Sequence, residues 1–139
     1  MNAEAECIFC RIVAGEVPAA KVLEDDSSIA FLDIGPVAIG HTLLIPRKHV
    51  ETLDELSDDD AAGTLRHLPR LVRAVRVATG CEGLNVLQNN GRVAQQFVPH
   101  VHFHLIPRNA GDEFHFNWPA GTYPDGQMES MAEKIRQML

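Results

Sequence analysis

The fold of this chain is decided by the stretch Gln96-Phe-Val-Pro-His100-Val-His102-Phe-His104-Leu-Ile-Pro107. Its three histidines alternate with Val101, Phe103 and Leu105, which is the two-residue period of a β-strand buried on one face. On such a strand the three imidazoles share the other face, and successive side chains on that face lie roughly 7 Å apart. Histidine titrates near neutral pH, so an unbroken row of three indicates a catalytic or ligand-binding site rather than an idle surface.

The segments on either side predict the rest of an α+β domain. We expect strands at 21–23, 28–32, 41–45 and 83–88, a short helix at 7–13 and a short C-terminal helix from Met128. Ser57 is a plausible N-cap of a long helix. The apolar stripe of that helix consists of Ala61, Leu65, Leu68, Val72 and Val75. Pro69 interrupts the stripe and predicts a kink or a break. Residues 108–127 are predicted to form an ordered loop. With the histidine stretch this makes a five-stranded antiparallel sheet in one domain, residues 1–139.

Composition and charge exclude several classes of protein. The chain has 139 residues, 45% of them apolar, and a net charge of −7, so binding to nucleic acid through its overall field is disfavoured. A phosphate-bearing ligand therefore needs a local site. Residues 1–6 are acidic and do not resemble a signal peptide, and no apolar run approaches the ~20 residues of a membrane span. We expect a cytoplasmic protein with reduced thiols and no membrane or nucleic-acid partner.

The histidine stretch has the residue types that chemistry at phosphorus requires. A neutral imidazole can attack phosphorus and later leave, provided that its far nitrogen is held by an acceptor. His102, with a histidine on either side, is the natural nucleophile, and His104 is placed to donate to the substrate or leaving group. Asn89 and Gln96 supply neutral amides for the phosphoryl oxygens.

The same histidines have a competing use in metal binding. Cys7 and Cys10 are separated by two residues, the spacing with which two thiolates hold one metal ion. Alone the pair is half of a zinc site, and His49 and His100 are candidates for the other two ligands. Both uses are compatible if His100 faces zinc while the other two histidines face substrate. Cys81 is predicted to be a buried bystander.

The chain closely resembles the histidine-triad superfamily, whose signature of three histidines alternating with apolar residues is met at every position of 100–106. Segments 31–36 and 40–49 are similar to the nucleotide-binding segment of that family, and the similarity spans roughly residues 7–108. Within the superfamily the chain looks most like the branch of the histidine-triad nucleotide-binding proteins and their bacterial relatives.

The resemblance implies a homodimer that joins two five-stranded sheets, and hydrolysis or transfer at the α-phosphate of a nucleotide through a nucleotidyl-histidine intermediate. It implies that His102 is the nucleophile, that His104 contacts the phosphate or leaving group, and that zinc is held by Cys7, Cys10, His49 and His100. The remaining implied roles are ribose binding by Asp33, base contact by Ile34, phosphate binding by Asn89 and Gln96, and an indirect role for His41.

The chain also departs from the family pattern. Gln95 stands where family members commonly have glycine, and Phe97 where several have serine or threonine. Trp118-Pro119 is similar to a C-terminal tail of the family, but about twenty residues follow it here. The leading prediction is hydrolysis of purine nucleoside phosphoramidates. The alternatives are a dinucleoside polyphosphate hydrolase and a zinc-stabilised nucleotide-binding or partner-binding module with little turnover.

Overall fold

A computed structural model describes residues 3–139 and contains the five-stranded antiparallel sheet that the sequence predicts. The strands lie in the order β1-β2-β3-β5-β4, so the histidine-bearing strand is internal. The strands are β1 (Lys21–Glu24), β2 (Ser28–Leu32), β3 (Thr42–Pro46), β4 (Gly83–Gln88) and β5 (Phe103–Arg108). The helices are α1 (Ala3–Glu6), α2 (Ile8–Val13), α3 (Asp58–Leu65), α4 (Leu68–Thr79) and α5 (Gln127–Met138), with short 3₁₀ turns at Leu53–Glu55 and Arg92–Ala94.

The predicted long helix is two helices. Ser57 caps α3 by accepting a hydrogen bond from the Asp60 N–H at 3.1 Å. Pro69 falls in the first turn of α4, where its missing N–H costs nothing, so the chain breaks between Leu65 and Leu68. The predicted apolar stripe is shifted by this break. Leu71 and Val75 are buried, whereas Leu65, Leu68 and Val72 are only partly buried against them.

The two faces of the sheet are covered by different helices. On one face a cluster of buried side chains includes Phe9 and Ile12 of α2 and Leu43 of β3. On the other face Leu71 and Val75 of α4 belong to a cluster with Leu44, Phe103 and Leu105. Because successive side chains of a strand alternate between faces, Phe103 and Leu105 are directed to α4. His104, which lies opposite Leu43 in the ladder, is therefore directed to the side of α2.

The structure corrects two details of the predicted histidine strand. β5 begins at Phe103, so His100 and His102 lie in the irregular segment that precedes it. The strand is also not solvent-facing on its histidine side: His100 is 0% and His102 6% exposed. Val101, Phe103 and Leu105 are buried as predicted, and α2 and the segment at 46–51 cover the histidine side as well.

The remaining expectations have mixed outcomes. Residues 109–126 have no helix or strand, as predicted for this loop. No helix within residues 3–139 is both long and apolar enough to cross a membrane. The predicted acidic segment at 1–6 lies partly outside the described residues, and the homodimer stays a prediction.

Candidate active site

His102 has a defined tautomer because one of its nitrogens faces a backbone carbonyl. Its Nδ1 lies 2.7 Å from the carbonyl oxygen of His100, and a carbonyl only accepts, so Nδ1 carries the proton. Burial is the main reason why the pKa of His102 lies below its usual value. The ring is therefore neutral near pH 7, and the lone pair is on Nε2. This is the form of imidazole that can act as a nucleophile.

His104 has the opposite tautomer, set by a chain of hydrogen bonds. The Val37 N–H donates to Nδ1 of His41 at 3.1 Å, and burial lowers the pKa of His41, so this neutral ring carries its proton on Nε2. That N–H donates to Nδ1 of His104 at 2.9 Å. Burial, and then His102 and His41, lower the pKa of His104 to about 4. His104 is thus neutral with its proton on Nε2, as a donor requires.

Asp33 lies just past the end of β2, next to His41. Its Oδ1 accepts a hydrogen bond from the Gly35 N–H at 2.8 Å, and its Oδ2 lies 3.6 Å from Nε2 of His41. Asp33, His41 and His104 are close enough together to suggest a metal site. The hydrogen bond from Val37 argues against one, because it leaves Nε2 of His41 protonated and without a free lone pair.

A cavity of about 750 Å³ joins these groups and is mostly apolar. His102 and His104 line it, and so do Asp33 and the fully exposed Ile34. Its size is typical of small-molecule sites, and few polar groups in an apolar wall are the usual arrangement for fixing a ligand. The apolar part of the wall comes from Ile8, Phe9, Ile12, Val17, Pro18, Ala19, Ala20, Phe31, Leu32, Leu43, Phe97 and Val98.

The four predicted metal ligands, Cys7, Cys10, His49 and His100, lie close together. Nδ1 of His100 lies 3.5 Å from each sulfur of Cys7 and Cys10 and 3.3 Å from Nδ1 of His49. Sγ of Cys10 lies 3.2 Å from Nδ1 of His49. A tetrahedron with Zn–S near 2.3 Å and Zn–N near 2.0–2.1 Å has edges of roughly 3.3–3.8 Å. The distances here, 3.2–3.5 Å, lie in the lower half of that range or just below it, so the four side chains fit zinc.

The protonation of these ligands also fits a cation. Nε2 of His100 lies 2.9 Å from the carbonyl oxygen of Pro46, so it carries the proton and leaves the Nδ1 lone pair directed at the cluster. Without a cation, burial and then the Cys7 thiol raise the pKa of Cys10 to about 12. Zinc binds thiolates and displaces their protons, so an ion here would provide a countercharge for the buried Cys7 and the half-buried Cys10.

The two predicted phosphate-binding amides, Asn89 and Gln96, do not line the cavity. Gln96 is buried, and its amide is fully used: Nε2 donates to the carbonyls of Glu51 and Val98 at 2.6 and 3.1 Å, and Oε1 accepts from the Gly91 N–H at 2.8 Å. The Gln96 amide thus has its donors and acceptor in use within the chain, and phosphate binding by Gln96 stays a prediction. Asn89 does not line the cavity, and its Nδ2 lies 3.4 Å from the Gln95 carbonyl.

Sequence reasoning missed one wall of the site. Phe9, between the two cysteines, packs edge-on against both His100 and His102, with ring centroids 5.9 and 5.2 Å apart. It also lines the cavity. The available signal was its position between Cys7 and Cys10, two residues predicted to bind the same metal ion as His100.

The chain is similar to known proteins over most of its length. A family model described as HIT domain matches residues 14–111. The chain is 45% identical to the adenosine 5'-monophosphoramidase hnt1 of Schizosaccharomyces pombe over 134 residues, 96% of this chain and 98% of that protein. A crystal structure of a HIT-family protein from Bacillus subtilis has a TM-score of 0.92 at 41% identity, covering 96% of both chains. A Zn-bound histidine triad family protein from Mycobacterium smegmatis has a TM-score of 0.74 at 32% identity, covering 98% of this chain and 99% of that one.

Proposed function

This chain belongs to the HIT family, and on that premise we propose that it is a nucleotide hydrolase that cleaves purine nucleoside phosphoramidates at the α-phosphate. The observation that carries the proposal is the tautomer of His102, whose proton on Nδ1 leaves Nε2 free to attack at the cavity. The monophosphoramidase activity named for the 45% identical relative supports the substrate class.

The reaction proceeds in two balanced steps. In the first, the Nε2 lone pair of His102 forms a bond to phosphorus while the P–N bond breaks. The bonding pair leaves with the amine, which takes up a proton from water at the open side of the cavity. In the second, water attacks phosphorus, the bond to His102 breaks, a proton is released, and a nucleoside monophosphate leaves. Both steps need a neutral His102, which its burial favours.

Neighbouring groups bind and orient the substrate. The Nε2–H of His104 donates to a phosphoryl oxygen or to the leaving group, and His41 holds that N–H in place through its own bond to Nδ1. Asp33 accepts hydrogen bonds from the ribose hydroxyls. Its carboxylate can do so because the Gly35 N–H uses only part of its capacity to accept hydrogen bonds. The base lies against the apolar wall beside Ile34, where an aromatic ring is removed from water.

Zinc bound by Cys7, Cys10, His49 and His100 is the structural part of the proposal. Bound there, the ion would act as a cross-link between α2, the segment after β3 and the histidine segment, with no role as a Lewis acid toward substrate. We also propose that the protein works as a single-domain homodimer, as the family resemblance implies.

The test is turnover by His102→Ala and His102→Asn with adenosine 5'-phosphoramidate as the substrate. We expect both variants to lose at least 1,000-fold in rate, the order of loss found when a catalytic nucleophile is removed, and to retain their fold and AMP binding. A dinucleoside polyphosphate assayed in parallel distinguishes the alternative substrate class. Turnover at the parent rate in either variant would contradict the assignment. A parent protein that binds AMP but hydrolyses neither substrate would instead be a binding module.

A further inference from the structure

Gln95 has an unusual backbone conformation next to the site. Its φ is +70° and its ψ +31°, and among residues 3–139 it is the one residue other than glycine with a positive φ. This left-handed conformation is unfavourable for any residue with a Cβ atom, and glycine would adopt it without cost. Hydrogen bonds hold the turn: the Gln95 N–H donates to Arg92 at 2.9 Å and the Gln96 N–H to Gly91 at 3.1 Å. Such strain at a site is a reason to look for a function of the side chain.

The side-chain amide of Gln95 is uncommitted. It makes no hydrogen bond to any residue in the described range 3–139, in contrast to that of the adjacent Gln96, whose donors and acceptor are all in use. Gln95 is exposed and lines the cavity together with His102 and His104. Of two consecutive glutamines, the second therefore fixes the loop and the first is available to a ligand.

The cavity has few hydrogen-bond donors for a phosphoryl group, and the Gln95 amide is one of them. Its polar lining residues are Asp33, Gln95, His102 and His104, and no lysine or arginine of the described chain lines it. Attack by His102 increases the negative charge on the phosphoryl oxygens, which only hydrogen-bond donors can then stabilise. Asp33 is an acceptor and His102 contributes a lone pair, so among the lining side chains the donors are His104 and Gln95.

We propose that Gln95 is a catalytic residue whose Nε2–H donates to a non-bridging oxygen of the α-phosphoryl group during attack by His102. The proposal rests on the hydrolase function proposed above. This hydrogen bond becomes stronger in the transition state, because the oxygen gains negative charge as the bond from His102 to phosphorus forms and the bond to the leaving group breaks. Since Gln95 is exposed, its effect is smaller than that of a buried oxyanion-hole donor.

The test compares Gln95→Gly with Gln95→Ala. Both remove the amide, but only glycine relieves the left-handed backbone, so the pair separates the side chain from the loop conformation. We expect kcat for adenosine 5'-phosphoramidate to fall about 10- to 100-fold in both variants, with KM and the Kd for AMP changed less than threefold. We expect the melting temperature to rise by roughly 2–4 °C in Gln95→Gly alone. Gln95→Asn, which keeps an amide and tolerates the conformation, should restore part of the rate.

The proposal is overturned by either of two results. If both variants turn over at the parent rate, the amide has no part in the reaction. If Gln95→Ala is slow and Gln95→Gly is as fast as the parent, the loop conformation matters and the amide does not. In both comparisons the reference is the turnover rate of the parent protein. Loss of that turnover in His102→Ala shows that the measured rate belongs to this site. Failure of this inference thus leaves the proposed function intact, whereas a parent without turnover would remove both.

Discussion

Removal of the four-ligand cluster gives the most direct measurement of what zinc contributes. The perturbation is Cys7→Ser/Cys10→Ser, with Cys81→Ser as the matched control, because Cys81 is also buried but does not belong to the cluster. We expect the parent and the control to contain one zinc per chain when purified without chelator, and the double variant to contain none. A double variant that retains one metal per chain would refute the ligand assignment.

The size of the effect follows from the chain separations that the ion would bridge. Cys10 and His49 are 39 residues apart, and His49 and His100 are 51 apart. In the chain-entropy treatment of cross-links, closing one loop of this length is worth roughly 4 kcal/mol. Mass action gives a similar figure of roughly 4 kcal/mol when free zinc exceeds its Kd 1,000-fold. We therefore expect a loss of about 4 kcal/mol in the free energy of unfolding.

The assay is thermal unfolding with and without a chelator. A loss of about 4 kcal/mol corresponds to roughly 10–15 °C in a chain of this size. The chelator should produce this shift in the parent protein and in Cys81→Ser, and no shift in the double variant, which should already melt at the lower temperature. The parent is measured with zinc and again after the chelator has verifiably removed it. Equal melting temperatures in the two measurements would refute the argument that the ion cross-links these segments.

Two further predictions concern the histidines themselves. His41→Ala should lower the single-turnover rate about 10- to 100-fold, the usual effect of losing a partner that orients a functional histidine. It should also cost about 1–3 kcal/mol in denaturant unfolding, because a buried ring that is hydrogen-bonded at both nitrogens is removed. An unchanged rate would contradict the hydrogen-bond chain to His104. In the pH profile of kcat/KM, activity should persist below pH 6.5, the usual histidine pKa, because burial lowers the pKa of His102 and the rate falls only as pH falls through that lowered value. An acid limb with its midpoint at or above 6.5 would contradict a buried neutral nucleophile.

The sequence predicted most of the fold because its signals were local. The ranges 28–32 and 83–88 match β2 and β4, since each is a short segment containing several apolar residues and bounded by turn residues. Pro69 predicted the break between α3 and α4 because the missing N–H acts on its own helix. The start of β5 could not be predicted in this way. Phe103 is the first residue of β5 that pairs, with Leu44 of β3 on one side and with Gln88, the end of β4, on the other. Both partners are distant in the sequence, so no local pattern contains the start of β5.

The predictions of individual site residues were less complete for a related reason. Residue type identified Gln96 as a possible donor, but whether a donor is available depends on the carbonyls around it. The carbonyl of Glu51, 45 residues away, takes one of its protons, and no local pattern contains that information. Gln95 was noted only as a departure from glycine. Its availability became apparent once the left-handed turn and the cavity were both known.

His100 explains why spacing alone cannot assign roles within the triad. Its Nδ1 is directed at the cysteine pair and His49, its Nε2–H donates to Pro46, and its carbonyl accepts from His102. The residue is therefore committed in three directions and has no nitrogen left for substrate, although its position in the repeat is equivalent to those of the other two. In the proposed reaction its contribution is to hold the nucleophile: an ion bound by its ring would restrain the same residue whose carbonyl accepts the hydrogen bond from His102. The two predicted uses of the histidines, metal binding and catalysis, are thus linked through His100 in the proposed function.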